Sequence, residues 1–85
     1  MRSTYDDQAD ALYVALREDV AVARSVVVED RVVDLDAEGE PVGIEVVGAS
    51  HGIRLTDLVE RIKLHAHQEA LRRLEATRFH SVEFA

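Results

Sequence analysis

The sequence predicts an α+β fold: a four- to five-stranded antiparallel β-meander over residues 1–50, followed by one long C-terminal α-helix over 54–77. Three observations predict it. Two Val-rich runs, 31–35 and 41–47, flank a short acidic turn that ends in Gly39. Earlier segments alternate apolar and polar residues with the period of two that marks a half-buried strand. After Gly52 the apolar period changes to that of a helix, Leu55, Leu58, Val59, Ile62, Ala66, Ala70 and Leu74 falling on one stripe.

Taken in order, 2–6 is a short strand and 7–10 a turn, since Asp side chains bond the backbone of tight turns. In 11–17, Leu12, Val14 and Leu16 point one way and Tyr13 and Arg17 the other. Residues 20–29 are rich in Val, which loses rotamer freedom in a helix and packs well on a pleated surface. The strand centres on 24–28. Short turns join only antiparallel neighbours, hence a meander. The turn at 37–39 needs a residue at positive φ, and Gly39 supplies it. That turn sets Asp34 against Val42, Val32 against Ile44 and Arg31 against Glu45. Val32, Val42, Ile44 and Val46 then share one face, and Val33, Leu35, Pro41 and Val47 the other. Both faces are apolar, so both call for a cover: the helix on one, a second copy of the chain or a folded-back terminus on the other.

The helix is expected to start near Thr56 or Asp57 as cap, with Glu60 in its first turn and Arg72, Arg73 and Arg78 at its negative end. A second stripe, Leu64, His67, Leu71 and Leu74, makes its C-terminal half apolar on more than one side. The tail, 78–85, carries Phe79, Val82 and Phe84.

Eighty-five residues make one domain, 1–85, with a thin core of the kind that gains stability by oligomerising. A homodimer follows, with Val33, Leu35, Val47, Leu64 and Leu71 as its expected interface. There is no Cys, which excludes disulfides and thiolate metal sites and fits a cytoplasmic location. The first ten residues are polar, so no signal peptide is expected, and no apolar run reaches the ~20 residues that span a bilayer.

The net charge is −7. It is concentrated in the first fifty residues, where twelve Asp/Glu stand against four Arg. This part of the chain repels phosphate, which disfavours a nucleic-acid partner and favours a basic protein partner or a helix laid against an acidic sheet.

Several constellations invite a chemical reading. Asp34-x-Asp36-x-Glu38-Gly39-x₅-Glu45 has the spacing of a calcium loop, but its flanks are strands where such a loop has helices. His65 and His67 stand two apart and point to opposite sides of a helix, so one ion cannot take both. No metal and no cofactor are assigned. Tyr5, Asp10, Tyr13, Asp34 and Glu45 form the candidate polar surface for a ligand or partner, with carboxylates suited to acid–base work if burial separates their pKa values. No nucleophile–base pair or phosphate loop accompanies them, so no catalytic residue is assigned and enzymatic activity stays open. Turn capping by Asp6 and Asp10 and a cross-strand Arg31–Glu45 pair explain the same residues structurally.

Three blocks, Tyr5-Asp6-x-x-Ala9-Asp10-Ala11-Leu12-Tyr13-Val14, then Val33-Asp34-Leu35-Asp36-x-x-Gly39-x-x-Val42-Gly43-Ile44-Glu45, then Ala49-Ser50, resemble a family of small bacterial proteins catalogued as domain of unknown function number twenty-two eighty-three. The resemblance covers about Tyr5 to Ser50. It implies a compact antiparallel sheet, no established activity and no catalytic residues. Some members are encoded beside toxin-like proteins, which implies an antitoxin-like role. Two functions follow: a small acidic protein-interaction module, homodimeric and antitoxin-like, or a small-ligand binder or cofactor-free enzyme with its pocket at the dimer interface.

Overall fold

The computed structural model describes residues 2–58 and 68–76, the side chains of Gln68 and Ala70 excepted. Among the described residues five strands form one antiparallel sheet: β1 (Arg2–Asp6), β2 (Ala11–Ala15), β3 (Arg24–Val28), β4 (Arg31–Leu35) and β5 (Pro41–Val47). A short 3₁₀ turn, Ala49–His51, follows, and α1 is Gln68–Glu75.

The strand order is β1-β2-β5-β4-β3, so the sheet is not a simple meander. The turns β1–β2, β3–β4 and β4–β5 are short and keep their strands adjacent. The β2–β3 connection, 16–23, is longer, and it crosses the ends of β5 and β4. Arg17 holds it there: its guanidinium donates to the Pro41 carbonyl (3.1 Å) and to the Asp36 carboxylate (2.7 Å). The result puts apolar β2, β5 and β4 in the centre and polar β1 at an edge.

The β4–β5 turn has the expected Gly39 at positive φ (81°). The Asp36 carboxylate accepts the Glu38 and Glu40 amides, both at 2.9 Å, as an Asx turn does. The register differs from the expected one. A bulge lies at Asp34/Leu35, with Gly43 opposite Asp34 and Pro41 opposite Leu35, so that Val42 is the extra residue. Beyond it the pairing slips by one: Val33 faces Ile44, Val32 faces Glu45 and Arg31 faces Val46. One slip recombines the two faces. Val33 and Leu35 join Val42, Ile44 and Val46 on the buried side, with Leu12, Val14 and Leu16 of the β2 region. The expected Arg31–Glu45 pair does not form.

That buried side is covered by the chain itself. Ile53, Leu55, Leu58 and Leu71 complete the core, with Tyr5, Val28 and Leu74 packed against it. The long helix expected over 54–77 is corrected. Among the described residues the helical ones are Leu58 and α1, which is eight residues long, and 54–57 are not helical. The cause is the bonding of this segment. The Leu55 and Thr56 amides donate to the Glu75 carboxylate at 2.9 and 2.8 Å, and Asp57 is taken by Arg31. These amides are therefore capped by the far end of α1, not by Thr56 or Asp57. Residues 59–67, which include Leu64, His65 and His67, and the tail lie outside the described residues.

Arg31 is fully buried on the core side of β4. Its guanidinium binds both Asp57 oxygens, the Nη2···Oδ2 contact being 2.8 Å, and donates to the Arg54 carbonyl at 2.6 Å. Glu29 and Asp30 lie within 3.7 Å and 3.6 Å. The guanidinium holds the Asp57 carboxyl below its ordinary value. Asp57→Ala is expected to cost about 3 kcal/mol, because it strands a buried charge that Glu29 and Asp30 only partly offset. Arg31→Met combined with Asp57→Ala should recover most of that loss. Chemical denaturation of the three proteins checks it; a double variant no more stable than Asp57→Ala would refute the account.

Candidate functional site

The five polar residues singled out by sequence separate into two clusters, one on each side of the sheet. Tyr5 pairs with Leu12 across β1–β2 and so lies on the core side. Its phenol donates to Asp10 Oδ1 at 2.6 Å. The same carboxylate accepts the Ser50 amide (2.9 Å) and the Ser50 hydroxyl (2.6 Å), while the Asp10 carbonyl accepts the Gly48 and Ala49 amides. Asp10 sits at positive φ (51°), a conformation that Asp tolerates in turns. The cluster clamps the β1–β2 turn to the exit of β5. Asp6 completes the turn by accepting the Gln8 and Ala9 amides.

Tyr13, Asp34 and Glu45 lie on the other, open side. The Tyr13 phenol reaches across β5 and donates to Asp34 Oδ2 at 2.9 Å; the Ser25 hydroxyl donates to Asp34 Oδ1 at 2.7 Å. Gly43, opposite Asp34, lies under the Tyr13 ring, and a Cβ there would fall within the phenol. Glycine is thus required for space, since its φ is not positive. The chain Tyr13–Asp34–Ser25 spans β2, β4 and β3 over the gap that Gly43 leaves. Glu45 faces Tyr13 from β5.

Burial, the Asp34 hydrogen bond and the charges of Asp34 and Glu45 push the Tyr13 phenol up to about 12. Burial and the Asp10 hydrogen bond do the same to Tyr5, also to about 12. The hydrogen bonds from Ser50 and Tyr5 hold Asp10 below the usual carboxylate value, and Arg17 with the turn amides does so for Asp36. The Tyr5 and Tyr13 phenols are therefore held protonated and the Asp10 and Asp36 carboxylates ionised, each by the hydrogen bonds it makes.

The calcium-like spacing is divided in the same way. Asp34 serves Tyr13 and Ser25, Asp36 serves Arg17 and the turn, and Glu45 lies on the open side. A shallow hollow of about 420 Å³ is lined by Arg17, Val20, Ala21, Asp36, Ala37 and Glu38, and holds none of the five polar residues. Of the residues expected at a dimer interface, Val33 and Leu35 are buried in the chain's own core because the register slip turned β4 over, and Leu71, on α1, packs into the same core. Val47 stays 54% exposed on the open side, and Leu64 lies outside the described residues.

Residues 2–50 match a family described as "Protein of unknown function (DUF2283)". The chain belongs to this family. The resemblance seen in the sequence therefore holds, and the DUF2283 segment ends at Ser50, the residue that closes the Asp10 clamp. No curated protein and no solved structure matches the chain. The geometry assigns the three blocks their work: Tyr5, Asp6, Asp10 and Ser50 fasten one end of the sheet, Asp36 and Gly39 shape the turn at the other, and Tyr13, Asp34 and Gly43 bridge the open side. Sequence reading missed Ser25 as an Asp34 partner and Arg31 as a core residue. An Arg inside a Val-rich run was the available signal for the second; nothing marked the first.

Two predictions follow from this bonding. Gly43→Ala should destabilise the fold by about 1–3 kcal/mol through overpacking against Tyr13, and Tyr13→Ala should relieve part of that in the double variant; a Gly43→Ala midpoint equal to wild type in denaturant would remove the crossing. Tyr5 and Tyr13 are the only tyrosines. Their folded pKa values lie above the ordinary 10, so their contribution to stability is present below pH 10 and is lost as pH rises toward 12. Asp10 and Asp36, with lowered pKa values, contribute stability above the ordinary carboxylate range that is lost on acidification. Ultraviolet titration of tyrosinate, native against unfolded, reads the first limb, and melting temperature against pH reads both.

Proposed function

We propose that this DUF2283 chain is a protein-interaction module that docks a basic partner on the open side of its sheet. The observation that carries the reading is the one-sided core. Leu12, Val14, Val33, Ile44 and Val46 are buried on one side, while Val27, 71% exposed, and Val47 remain on the other with Tyr13, Asp34 and Glu45. The Tyr13–Asp34–Ser25 chain fixes the polar part of that surface in advance, which lowers the entropy cost of binding. Twelve acidic residues against four Arg in the first fifty give the surroundings the sign that attracts a basic partner. Neutralising a basic toxin in the manner of an antitoxin is the form of this reading that the family resemblance suggests.

Comparative capture from cell extract tests it. Glu45→Lys reverses a charge on the open side; Glu38→Lys makes the same reversal on the β4–β5 turn. A basic protein held by wild type should bind Glu45→Lys at least about tenfold more weakly, ~1.4 kcal/mol, and Glu38→Lys nearly as well as wild type. Equal retention by both variants would place the contact elsewhere and defeat the proposal.

A further inference from the structure

We infer that β3 is a self-pairing edge, on which a second copy of this chain adds its own β3 antiparallel across a two-fold axis at Val26. Among the described residues the two edges of the sheet are β1 and β3, and they are unlike. β1 reads Arg-Ser-Thr-Tyr-Asp, the polar and charged composition that blunts an edge against strand addition. β3 reads Arg-Ser-Val-Val-Val, with no Pro and no charge after its first residue. Among the described residues the exposed large hydrophobics are Val22, Val26, Val27 and Val47. All but Val47 lie on β3 or two residues before it.

Strand geometry selects the register. The β3–β4 turn holds two residues, Glu29 and Asp30, between the paired Val28 and Arg31. Pairs flanking such a turn exchange backbone hydrogen bonds, and bonding alternates from there, so Val28, Val26 and Arg24 bond to β4. The amides and carbonyls of Ser25 and Val27 then point away from the sheet. Antiparallel pairing about Val26 sets Ser25 opposite the second copy's Val27, and Val27 opposite its Ser25. The two outward residues of each copy thus meet the two of the other, each pair exchanging both its bonds. A register moved by one residue in either copy loses this match.

Side chains favour the same axis. Val26 meets Val26, and Val27 lies beside Val27 diagonally on the open side. Arg24 stands at one end of β3, and Glu29 and Asp30 follow the other. Antiparallel self-pairing brings each Arg24 toward the acidic turn of the other copy, which a parallel arrangement does not. An edge of five residues buries less than the ~1,200 Å² at which stable interfaces begin, so the dimer is reversible and dissociates on dilution. The two-fold axis runs perpendicular to the sheet, so both open sides join into one continuous surface and the two docking faces act together. The inference itself does not need the docking reading.

The test uses the full chain and its lack of cysteine. Sedimentation of wild type at micromolar concentration should show a monomer–dimer equilibrium. Val27→Pro removes an outward N–H and leaves the β4 bonds intact; Val26→Lys places two ammonium groups face to face on the axis. Both should sediment as folded monomers, with far-ultraviolet circular dichroism unchanged. Val26→Cys should form a disulfide-linked dimer on mild oxidation, and Thr4→Cys, on the β1 edge, should not. A wild type that stays monomeric over the whole range overturns the inference, leaving the edge free for a strand of another protein. A dimer that survives both β3 substitutions, or equal cross-linking by both cysteine variants, overturns it as well by placing the contact elsewhere. A monomer that still loses its basic partner on Glu45→Lys would refute the self-pairing edge alone.

Discussion

Arg31 brings a full positive charge into a core made of Leu, Val and Ile, and the placement of the segment after the sheet follows from meeting that charge. Water is excluded from the guanidinium, which is 0% exposed. Its partners must therefore come from the protein. Val28 and the β3–β4 turn supply some of them from nearby in the chain; Asp57 and the Arg54 carbonyl come from beyond the sheet. This pins 54–57 against the end of β4 and places Leu55 and Leu58 in the same core as Val33. Glu75 then receives the two amides that this bend leaves unbonded. Burial pulls its carboxyl up, and the hydrogen bonds from those amides outweigh burial, so it lies below its ordinary value. A buried ion pair is weak evidence for net stability, but a guanidinium with directed partners selects one arrangement among those that bury the same apolar area.

The family segment can be read against the same constraint. Residues 2–50 hold the whole sheet, both tyrosine clusters and Arg31, but not Asp57. The sheet therefore carries its own fastenings at each end and on its open side, and leaves one charge to be met by whatever follows. Among the described residues no buried side-chain polar atom is left without a hydrogen bond, so in this chain the 54–57 segment meets that need.

What could be read in advance was local. The alternation in β2 and the Val content of β3 placed those strands; Gly39 placed the turn, because a positive φ is a property of one residue. What could not be read was non-local. The bulge at Val42 depends on how Leu35 and Pro41 pair, and no periodicity records an inserted residue. It moved Val33 and Leu35 to the core and removed them from a surface. The order of β2 and β5 depends on where an eight-residue connection, 16–23, is tied down, and Arg17 does this through carbonyls that carry no sequence signal. Of the helical stripe that begins at Leu55, Leu55 and Leu58 are buried and Leu74 packs against the core, and Leu71, from the second stripe, is buried with them. The helical period was misleading at its start, where Asp57 and two amides had partners elsewhere. Of the candidate site, the residue types were legible and the pairings were not: Tyr13 meets Asp34 only because β5 lies between β2 and β4. The division of the tyrosines between the two sides required only the period of two: Tyr5 faces Leu12, and Tyr13 is its neighbour.

A sheet with one covered side has to tolerate water on the other, and here the polar chain on the open side does so without surrendering rigidity. A lone Asp at position 34 among Val residues would disorder its neighbours or invite the register to slip, since both sides of β4 are otherwise acceptable to an apolar core. Bonded by Tyr13 from two strands away and by Ser25 from the next, Asp34 is fixed, and so is the register of every strand the chain crosses. Gly43 is the condition for that crossing, because a side chain there would lift Tyr13 off the sheet. The same residues that define the register thus lie on the open side with Glu45 and the exposed Val27 and Val47. The hydrogen bonds that hold the sheet in register are also what keep its exposed side in one conformation.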